Sequence, residues 1–415
     1  MFLTRVEIEN IRSIEHLDLS TASTDGPRQW TLILGQNGTG KSTILRAVAL
    51  ALAGSDALVE LVGDADDWIR RGKRTGRIKV EMVTAEGDER SAELVIRRST
   101  KLGLFQDNRE TLQALDAAIG HSPRNYFTTG YGVSRRPEGN LRRSIRGRET
   151  FRSLRAKSVA TLFSPDETLT PLEVWAMDLD YRHKGGFQTV RRILNTLLPG
   201  VDLVRIDRQK RELVFETPDG KLPFRLLSDG YQNAASWVAD LLAHLTDVFN
   251  DYKNPLGARG LLLIDEVDLH LHPVWQRELQ RFITSTLSNF QVVCTTHSPL
   301  TAHQTSEDEL YFLERPTSGP STLEAYDGAA NRLMLHQLIA SPIFGFETVD
   351  SDEVERKRRE YRQLRQKGKG RTPTEQRRFK GLAAEISELP EWGDTSPVQQ
   401  SVANALAKIE RNLAK

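Results

Sequence analysis

The chain has 415 residues, of which 38% are hydrophobic and 27% are charged, and its formal net charge is +1. These values are typical of a soluble globular protein with two or three domains. Cys294 is the only cysteine, so an intrachain disulfide is excluded and a reducing cytoplasm is the expected location. The N-terminus lacks a signal-peptide pattern, and no apolar run reaches the roughly 18–20 residues that span a bilayer, so we expect no membrane contact.

The first 100 residues predict a sheet with one helix. Phe2–Glu9 and Ile14–Leu19 alternate between apolar and polar residues, which indicates paired strands. Trp30–Leu34 is a short apolar run followed by glycine, as in a buried strand, and Ser42–Leu52 has helical spacing. We therefore predict an N-terminal lobe over residues 1–100.

The next segment, residues 101–220, is predicted to be a basic and helical insertion. Residues 101–160 are polar and basic with little periodicity. Leu172–Leu198 predicts a helix with a break at Gly185 and Gly186. A hairpin is predicted at the end of the segment.

Residues 221–347 are predicted to form a second lobe. A helix is predicted from Asp229 onward, and two apolar β-like runs follow, Gly260–Ile264 and Phe290–Thr295. A predicted helix, Pro273–Leu287, separates them, and this strand–helix–strand order favours parallel strands.

Residues 348–415 are predicted to form a charged helical extension. Residues 351–382 are dense in Glu, Lys and Arg, whose fields we expect largely to cancel, so a solvent-facing helix is the expected structure.

Gly35–Ser42 reads GQNGTGKS and satisfies the phosphate-loop pattern GxxxxGKS. Glycines let a backbone wrap closely around phosphates, and the loop N–H groups and helix N-terminus supply positive dipole ends. Lys41 would reach the β- and γ-phosphates, and Ser42 would ligate Mg²⁺. A glycine-rich turn without a ligand is the alternative. The predicted nucleotide contacts here are Gly35, Asn37, Gly38, Thr39, Gly40, Lys41, Ser42 and Thr43.

A second motif, LLLIDE, ends in Asp265 and Glu266. Its four apolar residues place Asp265 at the end of a buried strand, where it would hold Mg²⁺. Glu266 would then polarise the attacking water. A strand that ends in an acidic helix cap is the alternative.

His297 follows the next apolar strand, in the segment TTHSP. A lone histidine is more often structural than catalytic. His270 and His272, in the loop after Glu266, could suggest a metal site, but interface contacts and a helix start at Pro273 are the favoured interpretation.

Residues 227–232 read LSDGYQ, which resembles the signature motif LSGGQ of ATP-binding-cassette (ABC) ATPases. The four motifs together resemble the RecF/SMC-like branch of that family, without its long coiled coil. The resemblance implies an α/β, two-lobed ABC-type ATPase head, which is a P-loop NTPase, with a helical insertion and a helical C-terminal extension. In that family the signature of one subunit closes over the ATP of another. Ser228 and Gly230 would therefore complete the site of an opposite head, in a homodimer or higher homo-oligomer.

The same resemblance implies roles for other residues and makes ATP and Mg²⁺ the expected cofactors of an ATP-hydrolysing enzyme. His297 would contact the γ-phosphate, so the predicted catalytic residues are Lys41, Glu266 and His297. The start of the chain resembles that of the branch, so Arg12 and Ser13 would be secondary nucleotide contacts. The family's Q-loop glutamine is missing, and Arg135 in its place would approach the nucleotide, couple to a partner, or lie in a solvated basic turn.

Leu335–Glu347 resembles a stretch of ATPases from antiphage systems of the Septu and retron-linked type. That resemblance implies an ATPase sensor subunit that controls a separate nuclease or other effector protein. A RecF-like DNA-repair ATPase and an ATP-gated scaffold are the alternatives, and Glu266 argues against the scaffold. Residues 135–157 carry nine basic and two acidic residues, which could contact DNA or RNA, lie in a solvated loop, or dock an acidic protein.

Overall fold

The computed structural model of the chain divides into two compact units, Met1–Phe344 and residues 345–415. It describes residues 1–23, 26–84, 86–98, 101–135, 151–182, 185–198, 200–249, 255–316, 319–344, 350–387 and 389.

Strands are found in the first unit. In chain order they are β1 (Phe2–Ile11), β2 (Ile14–Ser20), β3 (Ala22–Ser23), β4 (Gly26–Pro27), β5 (Trp30–Gly35), β6 (Thr75–Val83), β7 (Glu89–Arg97), β8 (Thr128–Tyr131), β9 (Asp202–Asp207), β10 (Glu212–Thr217), β11 (Gly220–Pro223), β12 (Gly260–Ile264), β13 (Phe290–Thr296), β14 (Leu310–Glu314) and β15 (Thr322–Ala325).

Helices occur in both units. Those of the first unit are α1 (Lys41–Ala51), α2 (Gly54–Leu61), α3 (Lys101–Asp107), α4 (Arg109–His121), α5 (Leu154–Lys157), α6 (Ala160–Phe163), α7 (Leu172–Arg182), α8 (Gly186–Leu197), α9 (Asp229–Val248), α10 (Pro273–Thr286), α11 (Pro299–Ala302) and α12 (Leu335–Ile339). Those of the second unit are α13 (Asp352–Gln366) and α14 (Pro373–Ser387).

A six-stranded sheet, in the order β15-β14-β5-β13-β12-β8, lies at the centre of the first unit. Its strands pair in parallel from β14 to β8, and β15 joins antiparallel. A four-stranded antiparallel sheet, β2-β1-β6-β7, and a three-stranded one, β11-β10-β9, accompany it. The predicted α/β class, with parallel strands in the central sheet, is thus confirmed.

Alternate residues of the central strands enter two different cores. Ile33 and Val293 belong to the core shared with α1, α2 and the four-stranded sheet. Leu32 and Val292 belong to the core shared with α7 to α10. Because both faces are covered, the central strands are buried along nearly their whole length and do not alternate between buried and exposed residues.

The predicted insertion over residues 101–220 contributes directly to the central sheet. Its strand β8 pairs in parallel with β12. The polar stretch before β8 also contains α3 and α4, which the sequence did not predict. In α4 only Leu112 and Leu115 are buried, so its apolar face is too narrow to give a clear helical period.

No helix among the described residues is both long and apolar enough to cross a membrane.

A substitution at Gly132, just after β8, tests how closely the β8 edge of the central sheet is packed. A Cβ on Gly132 would lie 2.0 Å from the carbonyl oxygen of Thr161. We expect Gly132→Ala to lower the free energy of unfolding by about 1–3 kcal/mol, because one backbone must move away from another. Thermal unfolding measures this. Gly120→Ala is the matched control, since its Cβ meets nothing within 4 Å, and it should leave stability unchanged or raise it slightly.

Candidate functional site

Three neighbouring parallel strands end at one edge of the central sheet. In register, Leu34 of β5 lies opposite Thr296 of β13, and Ile264 of β12 lies opposite Cys294 of β13. The segments that follow these strands therefore emerge side by side. They form a cleft of about 250 Å³, lined by Arg12, Ser13, Asn37, Gly38, Gly40, Lys41, Ser42, Thr43, Asp265, Glu266 and His297. All of these residues were predicted site residues.

The glycine loop between β5 and α1 has a backbone conformation that would be strained for residues other than glycine. Gly38 has φ 77° and Gly40 has φ 112°, both in the left-handed region. A Cβ on Gly40 would lie 2.6 Å from the Ser13 hydroxyl oxygen, whereas one on Gly38 would meet nothing within 4 Å. The loop is thus closely packed on one side and open on the other, which suits a phosphate cradle.

Two predicted contacts shape this loop instead of lining the cleft. These are Gly35 and Thr39, which are not among the described residues that line the cleft. The Thr39 hydroxyl donates to the Gln36 carbonyl at 2.9 Å, and the Thr39 carbonyl accepts a bond from the Ser321 hydroxyl. A Cβ on Gly35 would lie 2.5 Å from the Leu313 carbonyl oxygen.

Lys41 connects the loop to His297. Its Nζ donates to the Gly35 carbonyl at 2.7 Å and lies 2.9 Å from His297 Nε2. Burial lowers the pKa of Lys41 against the attraction of Asp265 and Glu266. Burial and the nearby Lys41 cation both lower the pKa of His297. His297 is therefore neutral near pH 7, with Nε2 accepting from Lys41.

The acidic pair is held by the neighbouring strand. The Thr295 hydroxyl donates to Asp265 Oδ1 at 2.6 Å, and the Glu266 N–H donates to the Thr295 hydroxyl oxygen at 2.8 Å. Glu266 has φ 47°, a left-handed conformation that costs a non-glycine residue free energy. Its carboxylate Oε1 lies 3.9 Å from His297 Nε2.

Arg135 supports the same peptide from the opposite side. Its guanidinium donates to the Asp265 carbonyl at 2.6 Å, to the Glu266 carbonyl, and to the Gly132 carbonyl at 3.0 Å. Burial lowers the pKa of Arg135 to about 10, so it stays charged at neutral pH. The alternative of a solvated basic turn is wrong for Arg135. The sequence marked Arg135 only by its position in place of the Q-loop glutamine, and that position did not indicate its partners.

Arg12 and Ser13 come from the turn between β1 and β2. The Arg12 guanidinium lies 4.3 Å from the centre of the Trp68 ring, and its Nε donates to the Asp67 carbonyl. The Ser13 hydroxyl donates to the Thr39 carbonyl at 3.3 Å. The four-stranded sheet thus supplies one wall of the cleft.

The signature segment lies elsewhere on the same chain. Ser228 is exposed and precedes α9, and neither Ser228 nor Gly230 is among the described residues that line the cleft. A Cβ on Gly230 would lie 3.5 Å from the His270 carbonyl oxygen, an ordinary contact distance. His272 caps α10, since its Nδ1 accepts from the Val274 N–H, which accounts for this histidine without a metal.

Two members of the predicted basic cluster have structural roles. Arg155 is partly buried and donates to the carbonyls of Leu52, Ala53 and Tyr126, and Arg135 is buried as described. Neither guanidinium is available to a nucleic acid. Five others lie outside the described residues: Arg136, Arg142, Arg143, Arg146 and Arg148.

A family model described as "AAA domain, putative AbiEii toxin, Type IV TA system" matches residues 31–302. The Septu protein PtuA of Bacillus mycoides (strain KBAB4) is 25% identical over 319 residues, which cover 75% of this chain and 40% of that protein. The Retron Ec83 probable ATPase of Escherichia coli is 32% identical over 126 residues, 30% of this chain and 23% of that protein. The predicted resemblance to Septu and retron ATPases is confirmed, and the chain spans less than half the length of these relatives.

Two further proteins are similar at greater distance. The OLD nuclease of Thermus scotoductus (strain ATCC 700910 / SA-01) is 26% identical over 328 residues, 72% of this chain and 60% of that protein. The SMC head domain from Thermotoga maritima is 14% identical, with a TM-score of 0.45 over 79% of this chain and all of that one.

A substitution of Arg135 tests whether its hydrogen bonds hold Glu266 in place. For the ATP hydrolysis that the motifs predict, we expect Arg135→Lys to lower kcat by about 10- to 100-fold. Nη2 of Arg135 contacts the Asp265 and Glu266 carbonyls while Nε holds the Gly132 carbonyl, and a single ammonium cannot keep both sets of bonds, so Glu266 moves. Nucleotide affinity should change little. Steady-state kinetics and equilibrium binding of an ATP analogue separate the two effects. An equal loss of binding and turnover would mean that Arg135 only supports the fold.

Proposed function

Because the chain belongs to this AAA-domain family, we propose that it is a Mg-ATP-hydrolysing ATPase that acts as a head-to-tail dimer. The observation that carries the proposal is the convergence of the glycine loop, Asp265, Glu266 and His297 in one cleft. A turn without a ligand or an acidic cap would not bring these four elements together.

The cleft has the donors that a magnesium nucleotide requires. Ser42 and Asp265 offer hydroxyl and carboxylate oxygens, which are the hard ligands that Mg²⁺ prefers. When bound, Mg²⁺ would neutralise phosphate charge during transfer. Lys41 is anchored at the loop by two carbonyls and would turn its ammonium toward the β- and γ-phosphates.

Glu266 is proposed to orient the attacking water and accept its proton. Thr295 holds the Glu266 backbone on one side and Arg135 holds it on the other. The point from which the carboxylate side chain extends is therefore fixed. His297 has a lowered pKa, and as a neutral ring it would donate its N–H hydrogen bond to the γ-phosphate without adding charge.

The dimer is proposed from the position of the signature. Ser228 stands at the N-terminus of α9, a helix of 20 residues whose positive dipole end suits an anion. It is exposed and not on its own cleft, so a second copy would place it over the bound nucleotide. A Cβ on Gly230 would lie 3.5 Å from the carbonyl oxygen of His270 in the loop after Glu266, and both segments are proposed to belong to the dimer interface.

The cellular role is proposed from the relatives. Septu and retron ATPases point to a subunit of a bacterial antiphage defence system that controls a separate nuclease, and similarity to an OLD nuclease is compatible with a nuclease effector. A RecF-like DNA-repair ATPase is the second candidate. A neighbouring nuclease gene whose loss abolishes phage protection would support defence, whereas sensitivity to DNA damage on deletion would support repair.

Glu266→Gln tests the proposed base. The amide keeps the size of the side chain but cannot accept the proton, so we expect turnover to fall by at least about 100-fold while ATP still binds. The variant should accumulate as an ATP-bound dimer in size-exclusion chromatography. Wild-type turnover in this variant would exclude Glu266 as the base.

Completion of the site by a second copy is tested with two inactive variants. Ser228→Arg should bind ATP and fail to hydrolyse it, and Lys41→Ala should lose phosphate binding. Mixed in equal amounts, they form hybrids in which one site has an intact loop and an intact signature. Random pairing should then restore about a quarter of wild-type sites. A mixture that stays inactive would contradict a site shared between two chains.

A further inference from the structure

The charges of the helical hairpin α13–α14 are segregated along its length. Residues 362–380, which form the tip, contain eight basic residues and one acidic residue, a net charge of +7. Residues 350–361 and 381–387, which form the base, contain six acidic and four basic residues, a net charge of −2. The expectation that these fields cancel is therefore wrong for the tip. A chain with a net charge of +1 has concentrated its positive charge there.

Much of this charge is not neutralised by ion pairs. At the tip, the described ion pairs join Lys367 to Glu375 and Arg378 to both Glu360 and Glu385. Four other basic side chains of the tip are exposed, and none of the described ion pairs includes them: Arg362, Arg365, Arg377 and Lys380.

These four side chains form two pairs at helical spacing. Arg362 and Arg365 on α13, and Arg377 and Lys380 on α14, are each three residues apart, so both members of a pair lie on neighbouring turns of the same face. Two like charges so close repel one another, and an anion between them would relieve that repulsion.

The tip has no apolar anchor for a protein partner. Among the described residues 350–387 no large hydrophobic side chain is exposed. Tyr361 and Phe379 stack on each other at 4.8 Å, and Arg371 lies 3.8 Å from the centre of the Phe379 ring, so each ring already stacks on another side chain. Protein interfaces depend on buried aromatic or aliphatic anchors, and single-stranded nucleic acids depend on free rings for base stacking.

We propose that the tip of this hairpin, residues 362–380, binds the phosphate backbone of double-stranded DNA without reading its sequence. Exposed guanidinium and ammonium groups without apolar or aromatic contacts suit a rigid ladder of phosphates. None of these residues is a residue of the cleft, and the binding does not require ATP hydrolysis, so it can be tested whether or not the proposed activity holds.

The test uses the full chain and a short duplex DNA of mixed sequence. Binding is measured by fluorescence anisotropy between about 50 and 200 mM salt, where each phosphate contact contributes a slope of roughly 0.9 in log K against log salt. Replacing Arg362, Arg365, Arg377 and Lys380 with Gln should weaken binding at least about tenfold at low salt and reduce the slope by roughly 2–4.

A matched control removes four exposed basic side chains of the first unit with the substitutions Arg71→Gln, Arg74→Gln, Arg90→Gln and Lys210→Gln. It should bind DNA like the wild type. Helical content by circular dichroism checks that both variants remain folded.

Three results would overturn the proposal. They are no duplex binding by the wild type at low salt, equal loss in the control and the tip variant, and displacement of the duplex by poly-glutamate as effectively as by DNA of the same charge. The last result would identify an acidic protein as the partner.

Discussion

The register of the parallel strands β5, β13 and β12 is the constraint on which the rest of the first unit depends. Because Leu34 faces Thr296 and Ile264 faces Cys294, three chain segments that are far apart in sequence leave the sheet at the same edge. A shift of one residue in either pairing would move the following side chains to the opposite face. Because both faces of these strands are buried, such a shift would be costly. The pairing of the strands therefore fixes the positions of the side chains that line the cleft.

Around that edge, neutral groups set the position of charged ones. Thr295 positions Asp265 through its hydroxyl, and backbone carbonyls receive the guanidinium of Arg135. Behind them, Tyr131 at the end of β8 donates to the carboxylate of Asp240 on α9. Burial lowers the pKa of His244, one turn farther along α9, but the charge and hydrogen bond of Asp240 together raise it above its ordinary value. A chain of buried polar contacts thereby connects the edge of the sheet with the helix that begins at the signature.

Most of the cleft could be predicted from the sequence because its residues follow short local patterns. A glycine loop, an acidic pair and a histidine each come directly after a strand, and strand ends are readable from apolar runs. The role of Arg135 could not be predicted, because its partners at Asp265 and Glu266 lie 130 and 131 residues away in sequence. They are also backbone carbonyls, which every residue has, so no residue type indicates them. The charge of the C-terminal hairpin was misjudged for another reason: acidic and basic residues are balanced over residues 351–361, but basic residues outnumber acidic ones eight to one over residues 362–380.

The position of β5 in the sheet also governs when the protein becomes able to function during its synthesis. Its neighbours on both sides, β13 and β14, come from residues 290–314, so the strand that carries the glycine loop has no sheet partner until most of the first unit has left the ribosome. An interrupted translation product can carry the complete GQNGTGKS segment and still lack a formed cleft. The cleft can therefore form only after residues 290–314 have been synthesised.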